Sequence, residues 1–202
     1  MEIGLRARGN DQRIYFTTNG SEPDTSSRVF EKSFVIRDTT AVYHRIPQDW
    51  NIDIASHYSS QYAAGGELAV IDGVRGNANF ATGAWQGYQG QDFVAVVDLG
   101  KVEDIRKVGA GFLQDVGSWI WMPRRVEFEL SIDGRTFNPA ATIDNEVADK
   151  EYGVIVRDFV ETIPLRKARY VRVKAYNYGR IAEWHPGKGG EAWIFIDEII
   201  VQ

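Results

Sequence analysis

The chain has no cysteine among its 202 residues. Disulfides, thiolate metal sites and cysteine nucleophiles are therefore excluded, while the compartment stays open, because bacterial secreted proteins often do without disulfides. Long apolar runs are missing too. No stretch approaches the roughly 20 residues that a membrane-spanning helix needs, and the first ten residues, MEIGLRARGN, carry charges where a signal peptide needs an apolar run. No membrane span is expected. No run of ten or more residues shows a helical period. There is no Lys/Arg-rich run either, and with a net charge of −5 the chain lacks the electrostatic footprint of a nucleic-acid binder.

Catalytic signatures are equally scarce. No Gly-x-Ser-x-Gly elbow occurs, and the three histidines, His44, His57 and His185, are too scattered to form a zinc motif. Gly187-Lys188-Gly189-Gly190 lacks the spacing of a phosphate loop, and Gly109-Ala110-Gly111 lacks the third glycine of a dinucleotide loop. These glycines read as turns.

What is present is β-forming and aromatic. Val126, Phe128, Leu130 and Ile132 alternate with Glu127, Glu129, Ser131 and Asp133, a period of two that marks a strand with one buried and one wet face. It is entered through Trp119 and Trp121, in a segment broken by Gly117 and Pro123, and it ends at the turn pair Asp133-Gly134. Further strands are read at Phe93 to Leu99, Val102 to Phe112, Val154 to Val160, Arg169 to Ala175 and Ala192 to Val201. Gly-rich loops between short strands, without βαβ alternation, predict an all-β sandwich or barrel. Six tryptophans and 12% aromatic residues suit either a core of large rings or a few rings turned to a ligand.

The first 47 residues form a separate unit of short strands. Ile3, Leu5 and Ala7 alternate with polar residues, Arg13 to Thr18 is β-branched and aromatic, Asn19-Gly20 is a hairpin turn, and strands fit Ser33 to Arg37 and Thr40 to Ile46. Tyr15-Phe16-Thr17-Thr18-Asn19-Gly20-Ser21-Glu22-Pro23, followed by Ser26-Ser27-Arg28-Val29-Phe30, resembles the chitobiase/β-hexosaminidase C-terminal module, with Asn19 in place of the usual turn aspartate. That module usually has another strand before Ile3, so the resemblance implies that the chain begins inside it. Residues 48–52 are expected to be a linker.

Residues 53–202 resemble a discoidin domain, also called coagulation-factor type C, the fold shared with family 32 carbohydrate-binding modules. The resemblance rests on Ala55-Ser56-His57-Tyr58-Ser59-Ser60, on Ile71-Asp72-Gly73 before a Gly/Asn-rich loop ending at Trp85, and on Phe93 to Gly100 ending in Asp-Leu-Gly. Pro123 to Gly134, Ala168 to Val173 and Ile196 to Ile199 complete it. It implies a small Ig-like partial sandwich followed by a discoidin-like β-sandwich of jelly-roll type, together the C-terminal region of a family 20 β-N-acetylhexosaminidase. It also implies a periplasmic, cell-surface or secreted location.

Family 20 hydrolases use a neighbouring Asp-Glu pair for catalysis. Asp197-Glu198 lies instead in a terminal β run, without the His-x-Gly-Gly lead or room for the (β/α)₈ barrel of about 250 residues that holds such a site. This chain is therefore expected not to be an enzyme. By the resemblance, a structural calcium ion would tie the first long loop to the last strand through Asp72, Asn77, Thr82 and Glu198, the rest of its shell being backbone carbonyls. The threonine stands three residues before Trp85, where the family usually has it two before; the alternative role for Asp72 and Glu198 is to bond backbone N–H groups.

A sugar site would be a shallow aromatic surface with a few polar groups that orient hydroxyls. Three clusters offer one: Arg75, Asn77, Asn79, Trp85 and Tyr88; Gln114, Asp115, Trp119 and Trp121; and Asn177, Tyr178, Arg180, Glu183, Trp184 and His185. Trp119 or Trp184 is expected to supply the plane, with Arg75, Asn79, Glu183 and His185 as hydroxyl partners. The expected partners are glycan, terminal galactose or N-acetylhexosamine, and the catalytic domain of a parent hydrolase. The alternative is a packing or spacer module that docks on that catalytic domain with no ligand of its own.

Overall fold

The structure, a computed structural model, describes residues 2–3, 15–16, 28–30, 34–35 and 50–202. The chain divides into two compact units, Met1–Val42 and Tyr43–Gln202. In the first, β1 (Glu2–Ile3) pairs antiparallel with β4 (Phe34–Val35), and β2 (Tyr15–Phe16) with β3 (Arg28–Val29). The Asn19-Gly20 turn, the polar loop after it and the expected strand from Thr40 to Ile46 lie outside the described residues.

The second unit is an all-β, antiparallel jelly roll of seven strands. They are β5 (Asn51–Ile54), β6 (Gln86–Gln89), β7 (Phe93–Gln114), β8 (Arg125–Ser131), β9 (Asn138–Asp144), β10 (Ile155–Ala175) and β11 (Trp193–Val201). The hydrogen-bonded order is β6-β11-β7-β10-β8-β9, with β5 added to β7. Asn51 and Ile52, assigned to the linker from sequence, open β5.

Two strands are long enough to serve both layers of the sandwich. The sequence suggests separate strands over Phe93 to Leu99 and Val102 to Phe112, whereas β7 runs through both and bends at Gly100, where three successive residues are exposed. There Asp98 Oδ1 accepts from Gly100 N at 2.8 Å, and Arg169 donates to both Asp98 oxygens at 2.8 and 2.9 Å. Likewise β10 bends where its register with β7 shifts, between Thr162 and Arg166 and again between Ala168 and Tyr170. The first half of β7 therefore pairs with β5 and the end of β10; its second half pairs with β11 and the start of β10.

The core fills the space between the layers. Phe93, Ala95, Val97 and Leu99 of β7, Val126, Phe128 and Leu130 of β8, and Val171 and Val173 of β10 face inward from one side. Phe112, Phe159, Ile194, Ile196 and Ile199 meet them from the other. Strand alternation puts every second residue inside, so the same sequences leave Glu127, Glu129 and Arg172 on the outer face.

The bends also sort the loops. Residues 90–92, 115–124, 145–154 and 176–192 follow or precede strand ends that are neighbours in register: Phe93 with Ala175, Val126 with Ala175, Gln114 with Ile155, and Leu113 with Phe195. These four loops gather at one end of the sandwich. The turns at 100–102, 132–137 and 163–168 lie at the other.

Candidate functional site

At the loop end the rings of Trp121, Tyr178, Trp184 and His185 pack together. Trp121 stacks on Tyr178 at 5.0 Å and 16°, and meets His185 edge-on at 5.2 Å. Trp184 contacts Trp121 and His185 edge-on at 6.5 and 5.6 Å. The polar side-chain atoms of Trp121, Tyr178 and His185 are turned inward and bonded. Trp121 Nε1 donates to the Asp149 carbonyl at 3.0 Å, and Tyr178 OH donates to Asp149 Oδ2 at 3.1 Å. Burial and the Asp149 carboxylate beside it push the Tyr178 hydroxyl up from its ordinary pKa.

His185, expected to touch sugar, is only 4% exposed. Its Nδ1 accepts from Gly187 N at 3.0 Å, so Nε2 carries the proton and donates to the Val116 carbonyl at 3.0 Å. Nε2 thereby ties loop 176–192 to loop 115–124, while Nδ1 braces the turn within its own loop. Gln114, fully buried at the end of β7, anchors the loop between β9 and β10: its Nε2 donates to the carbonyls of Ala148 (3.0 Å) and Glu151 (3.2 Å), while Oε1 accepts from Met122 N at 3.3 Å.

The two tryptophans before β8 part company. Trp121 is 1% exposed, and Trp119, 39% exposed, stands at the surface. Trp119 has φ +66°, a left-handed backbone that bulky residues rarely adopt. Its N donates to the Val116 carbonyl at 3.1 Å and its carbonyl accepts from Trp193 N at 2.9 Å, which over-determines the conformation. One side of the indole lies on Gly187: a Cβ there would come within 2.6 Å of the ring, so only glycine admits this contact. Glu183 is exposed nearby in sequence, 3.5 Å from Lys188 Nζ. Tyr152, at 55% exposure, stands over His185 with rings nearly parallel (18°), and Lys150 Nζ lies 5.4 Å from the Trp184 ring. Tyr152 and Lys150 were not singled out from sequence. A lone tyrosine between Glu151 and Gly153 carries no pattern, and the bonds from Gln114, Trp121 and Tyr178 to residues 148–151 bring it to the rim.

The remaining expected residues lie elsewhere, along a seam between the first long loop and β11. Arg75 Nε donates to Asp197 Oδ2 at 2.8 Å and its terminal nitrogens bond Asp158. Two carboxylates hold the guanidinium far above its ordinary pKa, and its donors face the protein. Asp197 and Glu198 occupy a bulge in β11, between the register pairs of Ile196 and Ile199. A Cβ at Gly111, in the neighbouring strand, would sit 2.1 Å from Asp197 Oδ1, which explains the glycine. Desolvation pushes the Asp197 carboxyl up despite Arg75 beside it.

Of the four expected metal ligands, the two carboxylates suit a hard cation. Glu198 Oε2 accepts from Gly73 N at 2.9 Å, and burial pushes its pKa to about 8, helped by the charges of Asp72 and Asp197. Asp72 lies at the surface, accepts from Val74 N at 2.7 Å, and is pushed up by partial desolvation. The neutral pair is spent locally: Asn77 Oδ1 accepts from Asn79 N at 2.8 Å, and Thr82 Oγ1 donates to the Asn79 carbonyl at 2.9 Å. Asn79 Oδ1 in turn caps the 3₁₀ turn Phe80–Thr82 through Ala81 N at 3.0 Å. Among the described residues no three His, Asp or Glu side chains form a metal cluster, so further ligands would have to be backbone carbonyls.

An antiparallel jelly roll with a rigid scaffold and aromatic side chains gathered on the loops at one end defines a binding-module architecture. The model of the F5/8 type C domain matches residues 54–197, well over half of the chain, and the chain belongs to that family. A second model, described as Fn3 associated, matches residues 3–61. No curated protein matches the sequence.

The chain is similar to several solved structures. The C-terminal domain of a chitobiase from Bacteroides fragilis is 16% identical, with 78% of this chain and 95% of that chain covered and a TM-score of 0.50. A CBM32 module of a family 31 glycoside hydrolase from Clostridium perfringens is 17% identical, covering 79% of this chain and 97% of that one at a TM-score of 0.47. CpGH89CBM32-5 of the same organism, in complex with GalNAc-β-1,3-galactose, is 16% identical, covering 76% and 94% at a TM-score of 0.48. No helix among the described residues is long and apolar enough to cross a membrane.

Proposed function

We propose that the chain is a non-catalytic accessory region that recognises glycan through the loop end of its jelly roll. It would hold a secreted or surface-exposed glycoside hydrolase near its substrate. The observation that carries this reading is Trp119: a large ring exposed at the surface, in a strained left-handed conformation, backed by Gly187. Strain of this kind costs about 1–3 kcal/mol and persists only where surrounding structure enforces it, most often at functional sites. An indole plane offers its face to the C–H side of a pyranose, and Trp184, Tyr152 and Glu183 on the same loops extend the surface.

Terminal galactose or N-acetylhexosamine is the proposed ligand, and the proposed parent is of chitobiase/β-hexosaminidase type, on the strength of the Tyr15-to-Pro23 motif. A single shallow site of this sort binds near a millimolar, about −4 kcal/mol. Calcium is a further proposal, held by Asp72, Glu198 and loop carbonyls, where its charge would relieve the repulsion between the two carboxylates. The test is a glycan-array screen of the chain, followed by titration of hits under tryptophan fluorescence. Binding that is lost on Trp119→Ala supports the reading. Silence across the array overturns it, in favour of a packing module that covers part of the parent's catalytic domain.

A further inference from the structure

The outer face of the sandwich carries a groove of about 460 Å³, between the edge strand β5 and the turn that follows β8. Small-ligand sites commonly measure about 300–1,000 Å³. Its polar lining is Asn51, Asp53, Asp98, Asp133 and Arg135, and its floor includes the ring of Tyr170. Strand register explains the grouping. Asn51 stands beside Asp98, Asp98 beside Tyr170 and Tyr170 beside Ser131, while Asp53 stands beside Val96 in the next row but one. Alternation points these residues outward, because Ile52, Val97 and Val171 between them face the core.

The groove is built rather than accidental in its chemistry. Asp98 is fixed by Arg169 and by Gly100 N, and Arg169 also lies over the Tyr170 ring at 5.1 Å. Asp133 Oδ1 accepts from Ser131 Oγ and from the N–H groups of Arg135 and Thr136, all at 2.9 Å. Two carboxylates and one ring are thus held in place before any ligand arrives. By contrast the side chains of Asp53 and Arg135 and the NH₂ of Asn51 have no hydrogen-bond or ion-pair partner among the described residues. The lining holds Asp53, Asp98 and Asp133 against Arg135, with Asp98 also paired to Arg169, which leaves it acidic and disfavours an anionic ligand.

We propose that this groove is a second saccharide-binding site, separate from the loop end, that takes a neutral pyranose. The carboxylates would accept hydroxyl protons, Arg135 and Asn51 would donate to ring and hydroxyl oxygens, and Tyr170 would meet an apolar C–H face. The row holding Tyr170 lies five residues along β10 from Ala175 at the loop end, about 17 Å at the rise of a strand. One sugar cannot occupy both sites, whereas one chain could reach from one to the other and gain avidity from the pair.

The test is an amide-shift titration of the ¹⁵N-labelled full chain with lactose, N-acetylglucosamine and cellobiose, each to tens of millimolar. At least one probe is expected to move the amides of Val96, Gly134 and Arg135 on a binding curve independent of the Trp119 indole signal. Tyr170→Ala should weaken that curve about tenfold, the loss of one stacked ring. Asp53→Ala, at an exposed position that leaves the core untouched, should weaken it by a smaller factor. Neither should alter the Trp119 signal, and Trp119→Ala should leave the groove curve in place. The proposal is overturned if no probe moves the groove amides, if Asp53→Ala and Tyr170→Ala both leave the curve unchanged, or if the groove shifts vanish in Trp119→Ala.

Discussion

Where loop 72–77 crosses β11, charged side chains are stacked against the protein; at the loop end, aromatic rings gather and their polar atoms turn inward. Both regions are rich in hydrogen bonds, and both were read from sequence as places where a ligand might touch polar groups. In the seam, Arg75 spends its guanidinium on Asp158 and Asp197, Glu198 Oε2 accepts from Gly73 N, and Asp197 Oδ1 is buried without a hydrogen bond. At the loop end, His185, Gln114 and Trp121 spend theirs on loop backbone, and what remains outside is ring surface at Trp119 and Tyr152. The difference teaches that buried hydrogen bonds can serve opposite ends: one set pins a long loop to the sheet, the other stiffens a surface meant to be seen.

Breaking the seam should have the largest effect. Arg75→Ala leaves Asp197, whose side chain is fully buried, without its counter-charge. Stranding such a charge typically costs about 3–5 kcal/mol, and urea unfolding should show a loss of that order while any sugar midpoint at Trp119 stays where it was. Equal stability of the variant would mean that Asp197 is not charged, or not held, as the geometry implies.

The next effect concerns pH. Glu198 titrates near 8 in the folded chain against about 4.5 when unfolded, so between those values the unfolded state releases the proton first. Stability should therefore fall as pH rises from 5 to 8, by roughly 3 kcal/mol for a group shifted this way. Asp72 and Asp197, also pushed up, act in the same direction. Thermal melts in chelator should show the slope and Glu198→Gln should flatten it. Added calcium should raise the melting temperature, most at the upper end of the window, and curves that coincide with and without calcium would remove the metal from the account.

At the loop end the sign of the comparison reverses. Trp119→Ala should weaken glycan binding about tenfold, about 1.4 kcal/mol, with a smaller change in melting temperature than Arg75→Ala. A variant that unfolds but binds normally when refolded would move Trp119 into the structural class. Smallest is Lys188→Ala, which removes an exposed ion pair with Glu183 and should change stability by less than about 1 kcal/mol. Its use is as a control: any large loss of glycan affinity in it would place the ligand on the 183–188 turn.

Much of the fold was legible because alternation is a local signal. β8 has Val126, Phe128 and Leu130 inside, as its sequence pattern required, whereas Ile132, read into the same face, lies past the end of β8 and is 60% exposed; the Asp-Leu-Gly that ends the first half of β7 is the bend held by Asp98. β6 was not legible: Gln86 and Gln89 are polar, yet Gln86 is fully buried because its amide donates to the carbonyls of Ala63 and Gly66. β9 was not either, since its face is half-exposed throughout and it contains Pro139. For the site, the aromatic richness of the loops was visible and the division between Trp119 and Trp121 was not.

By itself the sequence determined the all-β class, the position of most strands, the absence of thiol chemistry and the three loops that hold rings. Those follow from residue type and from spacings of two or three positions. Tertiary structure alone decided which candidates face solvent. Arg75 meets Asp197 across 122 positions of chain, and His185 meets the Val116 carbonyl across 69. Whether a polar side chain is spent on such a partner depends on which strands are neighbours, and neighbours are chosen by the burial of the whole core rather than by anything local to the residue.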